Sequence, residues 1–421
     1  MNRDNLAGFP ARRITADASA RFTYLAEAIG RAFEPTQTQL DDLERAYNAT
    51  GDYLTECPEF DGLLTHVHAQ GSRPLGTIVR PMDPEREGFD IDLVARLARA
   101  ALTRYGGHKG AAVLLQHLFT ALNRYAQRHG LGIERWDRCV TLVYAGGMRA
   151  DFAPVIDDPV FALPHGQHHG RIPDRDLRRY LSTNPKGYCL SFDEIARIPP
   201  QFRTVESLNF AMDSVRKADV EPLPDAAQVF GRLLSRYVQL GKVHRNNSFA
   251  GHAKGKELAP TSVFLTTLFA KAYAVLAPQP HDGPLDLLFD IVELVPNLFE
   301  REALMGGDER WVLMNPCAQS DNLAESMNTR ERQQAFVQWH RRLLADLVAL
   351  QAAIDGNKGM DVVVKAVEGA FGNRAGQAVL QRGAQRRESN RVLGRASFVA
   401  AGSLAVVVPA RAHTYFGGPV T

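Results

Sequence analysis

Two carboxylates stand one residue apart in Phe89-Asp90-Ile91-Asp92-Leu93, a stretch apolar enough to be a buried strand. Side chains in a strand alternate faces, so Asp90 and Asp92 point the same way and can share metal ions. Mg²⁺ prefers oxygen ligands and keeps several of its waters; two or three carboxylates plus the phosphates of a substrate make a natural site for it. A third acid, Asp151 in Met148-Arg149-Ala150-Asp151-Phe152, falls in a second candidate strand. Upstream, Gly71-Ser72 could let backbone approach a phosphate closely, with the Ser72 hydroxyl donating a hydrogen bond to a phosphate oxygen. The chemistry that needs Gly-Ser, then acid-x-acid, then a third acid is transfer of a nucleotide from a triphosphate with two metal ions. Taken singly, the pieces have plainer readings. A Gly-Ser pair is uninformative, an acid-x-acid pair can be a solvated strand edge or a cap, and Asp151 can simply end a strand.

The elements that must position these residues follow from periodicity. Phe22, Leu25, Ala26, Ile29 and Phe33 recur at helical spacing, as do Leu40, Leu43, Ala46, Tyr47 and Leu54, so the chain opens with two helices. A helix is expected over 109–129. A strand over RWDRCVTLVYA is expected to turn at Gly146-Gly147 and pair with MRADFAPVI, which delivers Asp151 to the sheet. The Pro-, His-, Gly- and Arg-rich run 157–203 marks the passage between lobes. Beyond it, 226–238, 260–277, 285–295 and 330–354 carry helical apolar stripes, and GQAVLQRGAQRRESNRVLGR reads as a solvated connector. The expectation is an α+β protein of two lobes: residues 1–200 with a mixed sheet and helices, and residues 201–421 mainly helical.

Composition sets limits. With 421 residues, 45% hydrophobic and 23% charged, the chain is globular, and disorder, collagen-like and coiled-coil architectures are excluded. A net charge of +2 gives no reason to expect nucleic acid as a partner. Cys57, Cys139, Cys189 and Cys317 are scattered, with no zinc spacing, and read as reduced thiols. The start lacks the apolar core of a signal peptide. No uninterrupted apolar run reaches the roughly 20 residues that span a bilayer, so a cytoplasmic site with no membrane partner is expected.

These motifs resemble a known family, the bacterial cyclic GMP-AMP synthase/DncV-like nucleotidyltransferases (CD-NTases) of cyclic-oligonucleotide-based anti-phage signalling. The resemblance covers most of the chain: QGSRPLGT and FDIDL, RADFAPVID, STNPKGYCLSF, GKVHRNNSF with PTSVFLTTLFAKAY, and WVLMNPCAQSDNLAE. It implies a two-lobed polymerase-β-like fold with its site in the cleft. It also implies Mg²⁺ (with Mn²⁺ as an alternative), ATP and/or GTP as substrates, and a cyclic di- or trinucleotide that activates a separate effector protein.

By the same resemblance Gly71 and Ser72 hold the triphosphate, and Asp90, Asp92 and Asp151 are catalytic and bind metal. Lys242 would contact the triphosphate from the helical lobe, or else be a solvated lysine at a helix end. Asn184, Lys186 and Tyr188 would help form the cleft, Tyr188 by stacking on a base; the alternative for NPKG is an interlobe turn. His244 and Arg245 would order the same wall or serve as structural hydrogen-bonding groups. The tail HTYFGGPVT resembles the ends of related proteins that are joined to targets by a ubiquitin-transfer-like partner, which implies a C-terminal conjugation partner. Two other readings remain for the whole chain: a template-independent transferase acting on RNA or protein, and a catalytically silent nucleotide sensor of the same fold.

Overall fold

The computed structural model describes residues 14–82, 90–144, 147–203, 233–356, 359–392, 397–398 and 408–409. The tail HTYFGGPVT, and the conjugation reading attached to it, lies outside them. Two helices lead, α1 (Ala16–Phe33) and α2 (Gln37–Thr55). Thr15 caps α1 by accepting from the Ala18 amide, and Thr36 and Gln39 form a reciprocal capping box on α2.

The strands β1 (Leu64–Gln70) and β2 (Asp90–Leu97) follow, then α3 (Ala101–Tyr105), α4 (Gly110–His129), β3 (Gly132–Arg135), β4 (Val140–Val143) and β5 (Arg149–Asp157). They form one mixed sheet in the order β1-β2-β5-β4-β3, with β2 and β5 parallel and the other neighbours antiparallel. The far end of β5 also pairs with β6 (Gly170–Asp174), which pairs with β7 (Arg179–Thr183). One face of this sheet is apolar. Ile91, Leu93, Leu97, Val140, Leu142, Ala150, Phe152 and Ile156 pack with Leu43 and Leu54 of α2 and with Leu114, Leu118 and Leu122 of α4. Strand alternation then leaves Asp90, Asp92, Thr141 and Asp151 on the opposite face.

The run 157–203 holds the β6-β7 hairpin and α5 (Pro185–Ala196). The remainder is mainly helical: α6 (Leu233–Phe249), α7 (Ser262–Leu276), α8 (Pro284–Leu294), α9 (Arg330–Asp355), α10 (Met360–Phe371) and α11 (Asn373–Val392). The segment Gly255–Leu276, which includes α7, is long and apolar enough to cross a membrane by length and composition. Phe264, Leu265, Leu268, Phe269 and Tyr273 of α7 are nevertheless buried in the helical core. The polar run expected to be a solvated connector is, as far as Val392, part of the helix α11, in which Ala375, just ahead of the run, and Val379 are buried against this core one helical turn apart.

Helix α1 also belongs to the helical core, through Ala18, Phe22, Leu25, Ile29 and Phe33, and packs on α6, α8, α9 and α11. A buried ion network ties it there. The Arg236 guanidinium on α6 donates to both Glu27 carboxylate oxygens (2.9 and 3.1 Å), to Glu34 (3.1 Å) and to Gln239 (2.6 Å). Gly30 makes room for it, since a Cβ there would stand 1.5 Å from Arg236 Nη1. Removing one partner of a buried pair strands the other, so Glu27→Ala is expected to cost about 3 kcal/mol of stability. Urea unfolding measures this, and a loss under about 0.5 kcal/mol would show the network to be inert.

Candidate active site

The site is built by strand register. Gln70 lies opposite Asp92, Asp92 beside Asp151, Asp151 opposite Thr141, and Thr141 opposite Glu134. One polar row therefore crosses five strands on the face away from the apolar core. Asp90 and Arg149 form the next row toward the start of β2 and β5.

The two central acids are held as neighbours in a partly buried setting. Burial, then the charges of Asp151 and Asp90, push the Asp92 carboxyl up to about 6. Burial also raises Asp151, opposed by the Thr141 hydroxyl, which donates to Asp151 Oδ1, and by the Arg149 charge. Asp90 is more exposed, at 63%, and leans toward Arg149, whose Nε lies 3.8 Å from Asp90 Oδ1 while Nη2 bonds Glu134.

Among the described residues no three His, Cys, Asp or Glu side chains are already drawn together as a metal-ligand set. The donor chemistry still fits a hard divalent cation. Two adjacent carboxylates raised by desolvation and, at Asp92, by mutual repulsion lack the positive charge that such an ion brings, and Asp90 follows on the same face.

The turn after β1 brings Gly71 against these acids. Its φ is +72°, and a Cβ there would sit 2.1 Å from Asp92 Oδ2, so both conformation and space require glycine. The Ser72 carbonyl accepts from the Thr77 amide at 2.9 Å, closing the turn. Thr77 in turn is held by the helical lobe: Lys242 Nζ donates to its carbonyl (3.2 Å) and hydroxyl (3.0 Å). Lys242 is therefore not a solvated lysine. It is only 4% exposed, and burial, aided by the nearby Arg245 charge, lowers its ammonium to about 7 despite the opposing pull of Asp92.

A cleft of about 1330 Å³ runs between the polar row and the helical lobe, with Gly71, Ser72, Asp90, Asp92, Asp151 and Lys242 on its walls. Tyr188 also lines it, with its hydroxyl 2.8 Å from Thr267 Oγ1. Asn184 does not join them. It caps α5, accepting from the Gly187 amide (2.9 Å) and donating to the His165 (3.1 Å) and Cys317 (2.9 Å) carbonyls. Asn-Pro is a helix start, and the amide oxygen serves the cap while its nitrogen is taken up by the two carbonyls. Lys186 is exposed on the same helix. His244 is buried, 3.0 Å from Asp346, between Trp339 and Phe371. Arg245 reaches the cleft wall and donates to the Pro260 carbonyl and the Ser262 hydroxyl.

Three residues of the cleft wall went unread in the sequence, Glu134, Trp136 and Arg149, and so did Thr141, which is buried against Asp151. The expected hairpin of RWDRCVTLVYA with MRADFAPVI forms as β4 and β5, but the run also holds the end of β3 and an unmarked turn with no Gly or Pro, so the place of Glu134 and Trp136 could not be seen.

Residues 19–195 match the SMODS family, the Second Messenger Oligonucleotide or Dinucleotide Synthetase domain. A c-di-GMP synthase of Roseivirga ehrenbergii is 26% identical over 365 residues, 86% of each chain. The cyclic dinucleotide synthase CdnG of Bradyrhizobium diazoefficiens is 27% identical over 386 residues, 85% of each. The structure of the Bradyrhizobium diazoefficiens CD-NTase CdnG in complex with GTP superposes with a TM-score of 0.59 at 21% identity, covering 85% of this chain and 97% of that one. That structural likeness is one of fold, and it agrees with the expected α+β architecture with a mainly helical C-terminal part.

Proposed function

We propose, on the premise that this chain belongs to the bacterial CD-NTase family of nucleotidyltransferases, that its cleft joins ATP and/or GTP into a cyclic di- or trinucleotide second messenger. The observation that carries the reading is the cross-strand row that sets Asp92 beside Asp151 and against the Gly71-Ser72 turn. The cleft, at about 1330 Å³, exceeds the roughly 300–1,000 Å³ of a single small-ligand site, which leaves room for two nucleotides.

Asp90, Asp92 and Asp151 would hold Mg²⁺, or Mn²⁺ in its place, which supplies charge neutralisation on the triphosphate and activation of the attacking hydroxyl. The protein's own groups do the rest. Gly71 admits the phosphates to the backbone, the Ser72 hydroxyl donates to a phosphate oxygen, and Lys242 stiffens the same turn through Thr77. A ribose hydroxyl of one nucleotide attacks the α-phosphorus of the other: the new O–P bond forms as the bond to pyrophosphate breaks, and the hydroxyl proton passes to the Asp151 side. A second, equivalent attack closes the ring and releases a second pyrophosphate. Positioning and charge neutralisation carry the rate.

The decisive assay incubates the protein with the four labelled triphosphates and Mg²⁺ or Mn²⁺, then digests the product with nuclease and phosphatase. A phosphatase-resistant product supports cyclisation. A product built only on added RNA or protein, or binding without turnover, supports one of the two competing readings. A second measurement addresses the metal. At pH near 6 Asp92 is about half protonated, so Mg²⁺ binding to the nucleotide-free protein is expected to release about half a proton per chain and almost none at pH 8. Calorimetry in buffers of different ionisation enthalpy reads this, and proton uptake instead of release would contradict it.

The setting we propose is the cytoplasm, where the four unpaired cysteines stay reduced, with the product acting on a separate effector protein in anti-phage defence.

A further inference from the structure

Trp136 is a large aromatic left half in solvent, at 53% exposure, and it lies on the wall of the cleft. It stands one residue past β3 and shares the cleft lining with Glu134 and Asp151. Its backbone is held both within the hairpin and from outside it. The Trp136 amide donates to the Cys139 carbonyl at 3.0 Å, the Arg175 guanidinium donates to the Trp136 carbonyl, and the Arg175 amide donates to the Asp137 backbone carbonyl at 2.9 Å. Arg138, next in the turn, is paired with Asp174 at 2.8 Å. An exposed indole on a fixed backbone costs little ordering entropy when it stacks on a ligand.

The row also has a direction. The Gly71-Ser72 turn leaves β1 at one edge, Asp151 sits in the middle, and Trp136 follows β3 at the other edge. Two strand spacings, roughly 10 Å, separate the β3 edge from Asp151, a span that a ribose and its base bridge.

We propose that Trp136 is the stacking platform for the purine base of the nucleotide whose ribose hydroxyl faces Asp151, on the side of the cleft away from the triphosphate turn. This rests on the nucleotidyltransferase reading given above, and it adds a residue that positions the attacking nucleotide. Base-aromatic stacking tolerates either purine, so Trp136 contributes affinity and orientation while the edges of the base are read elsewhere.

The protein has three tryptophans, and the other two, Trp311 and Trp339, are 1% and 2% exposed. Intrinsic fluorescence quenching by a nucleotide therefore reports on Trp136. With Mg²⁺ present and tripolyphosphate filling the phosphate subsite, guanosine monophosphate is expected to quench saturably, while tripolyphosphate alone does not. By equilibrium dialysis Trp136→Leu should weaken monophosphate binding about tenfold or more, and Trp136→Phe should retain most of it. An exposed position makes both variants foldable, which circular dichroism checks. If Trp136→Leu binds the monophosphate as wild type does, while wild type makes cyclic product, the platform is overturned and the function stands. If wild type neither binds nucleotide nor makes product, both fall together.

Discussion

Asp92→Asn is expected to stop product formation, by on the order of 10³-fold or more, while making the metal-free protein more stable. The two effects have one cause. Asp92 is pressed against Gly71 and flanked by Asp151, and burial together with the neighbouring acids raises its carboxyl to about 6. An acid whose pKa is higher in the folded than in the unfolded state makes folding less favourable as pH rises. The penalty is absent below the ordinary carboxylate value of about 3.8, grows up to about 6 and is complete above it. Asparagine keeps the shape without the charge, so it removes that slope and should raise the melting temperature at pH 7 by a few degrees without metal. It also removes the charge by which Asp92 would hold an ion beside a triphosphate, which is why activity goes. Melting curves at pH 4, 6 and 8, with and without Mg²⁺, beside product assays, check both halves. A variant that keeps more than a tenth of the wild-type rate would remove Asp92 from the chemistry; one that melts lower at pH 7 would remove the electrostatic account.

How far the sequence could be read depended on whether the signal was local. Asp90, Asp92 and their shared face follow from alternation inside a single strand, and α1, α2 and α4 from apolar spacing within a helix. The parallel pairing that puts Asp92 beside Asp151 joins residues 59 positions apart, and it rested on motif order until the register was seen. Thr141 joins the row through the β4-β5 hairpin that the Gly146-Gly147 signal predicts, whereas Glu134 joins it through a β3-β4 pairing with no Gly or Pro to mark its turn. Asn184 illustrates a different failure. A cap and a ligand use the same amide group, and Asn-Pro at the start of α5 had the stronger local claim. For α11 the Arg- and Gln-rich composition hid the small buried residues Ala375 and Val379, which dock the helix together with Arg374 over Phe33 and Arg382 over Tyr24.

Lys242 carries the second large effect, because its charge is conditional. Its ammonium is buried beside Arg245 and lowered to about 7, so at pH 8 the folded, nucleotide-free protein holds it mostly neutral. Its two donated bonds go to Thr77, in the turn that the Ser72 carbonyl closes. A triphosphate arriving at that turn adds negative charge nearby, which favours the protonated amine. Nucleotide binding at pH 8 is therefore expected to take up close to one proton at Lys242, and uptake should shrink below pH 6, where the amine is already charged. Lys242→Met keeps the stem packed but can neither hold Thr77 nor gain charge. It should lower kcat/KM by about 10²-fold and abolish the uptake at pH 8. Calorimetry with a non-hydrolysable triphosphate in two buffers of unlike ionisation enthalpy separates this from mere loss of packing, which would weaken binding yet leave the proton count unchanged. Equal proton uptake by Lys242→Met and wild type would assign the charge switch to another group.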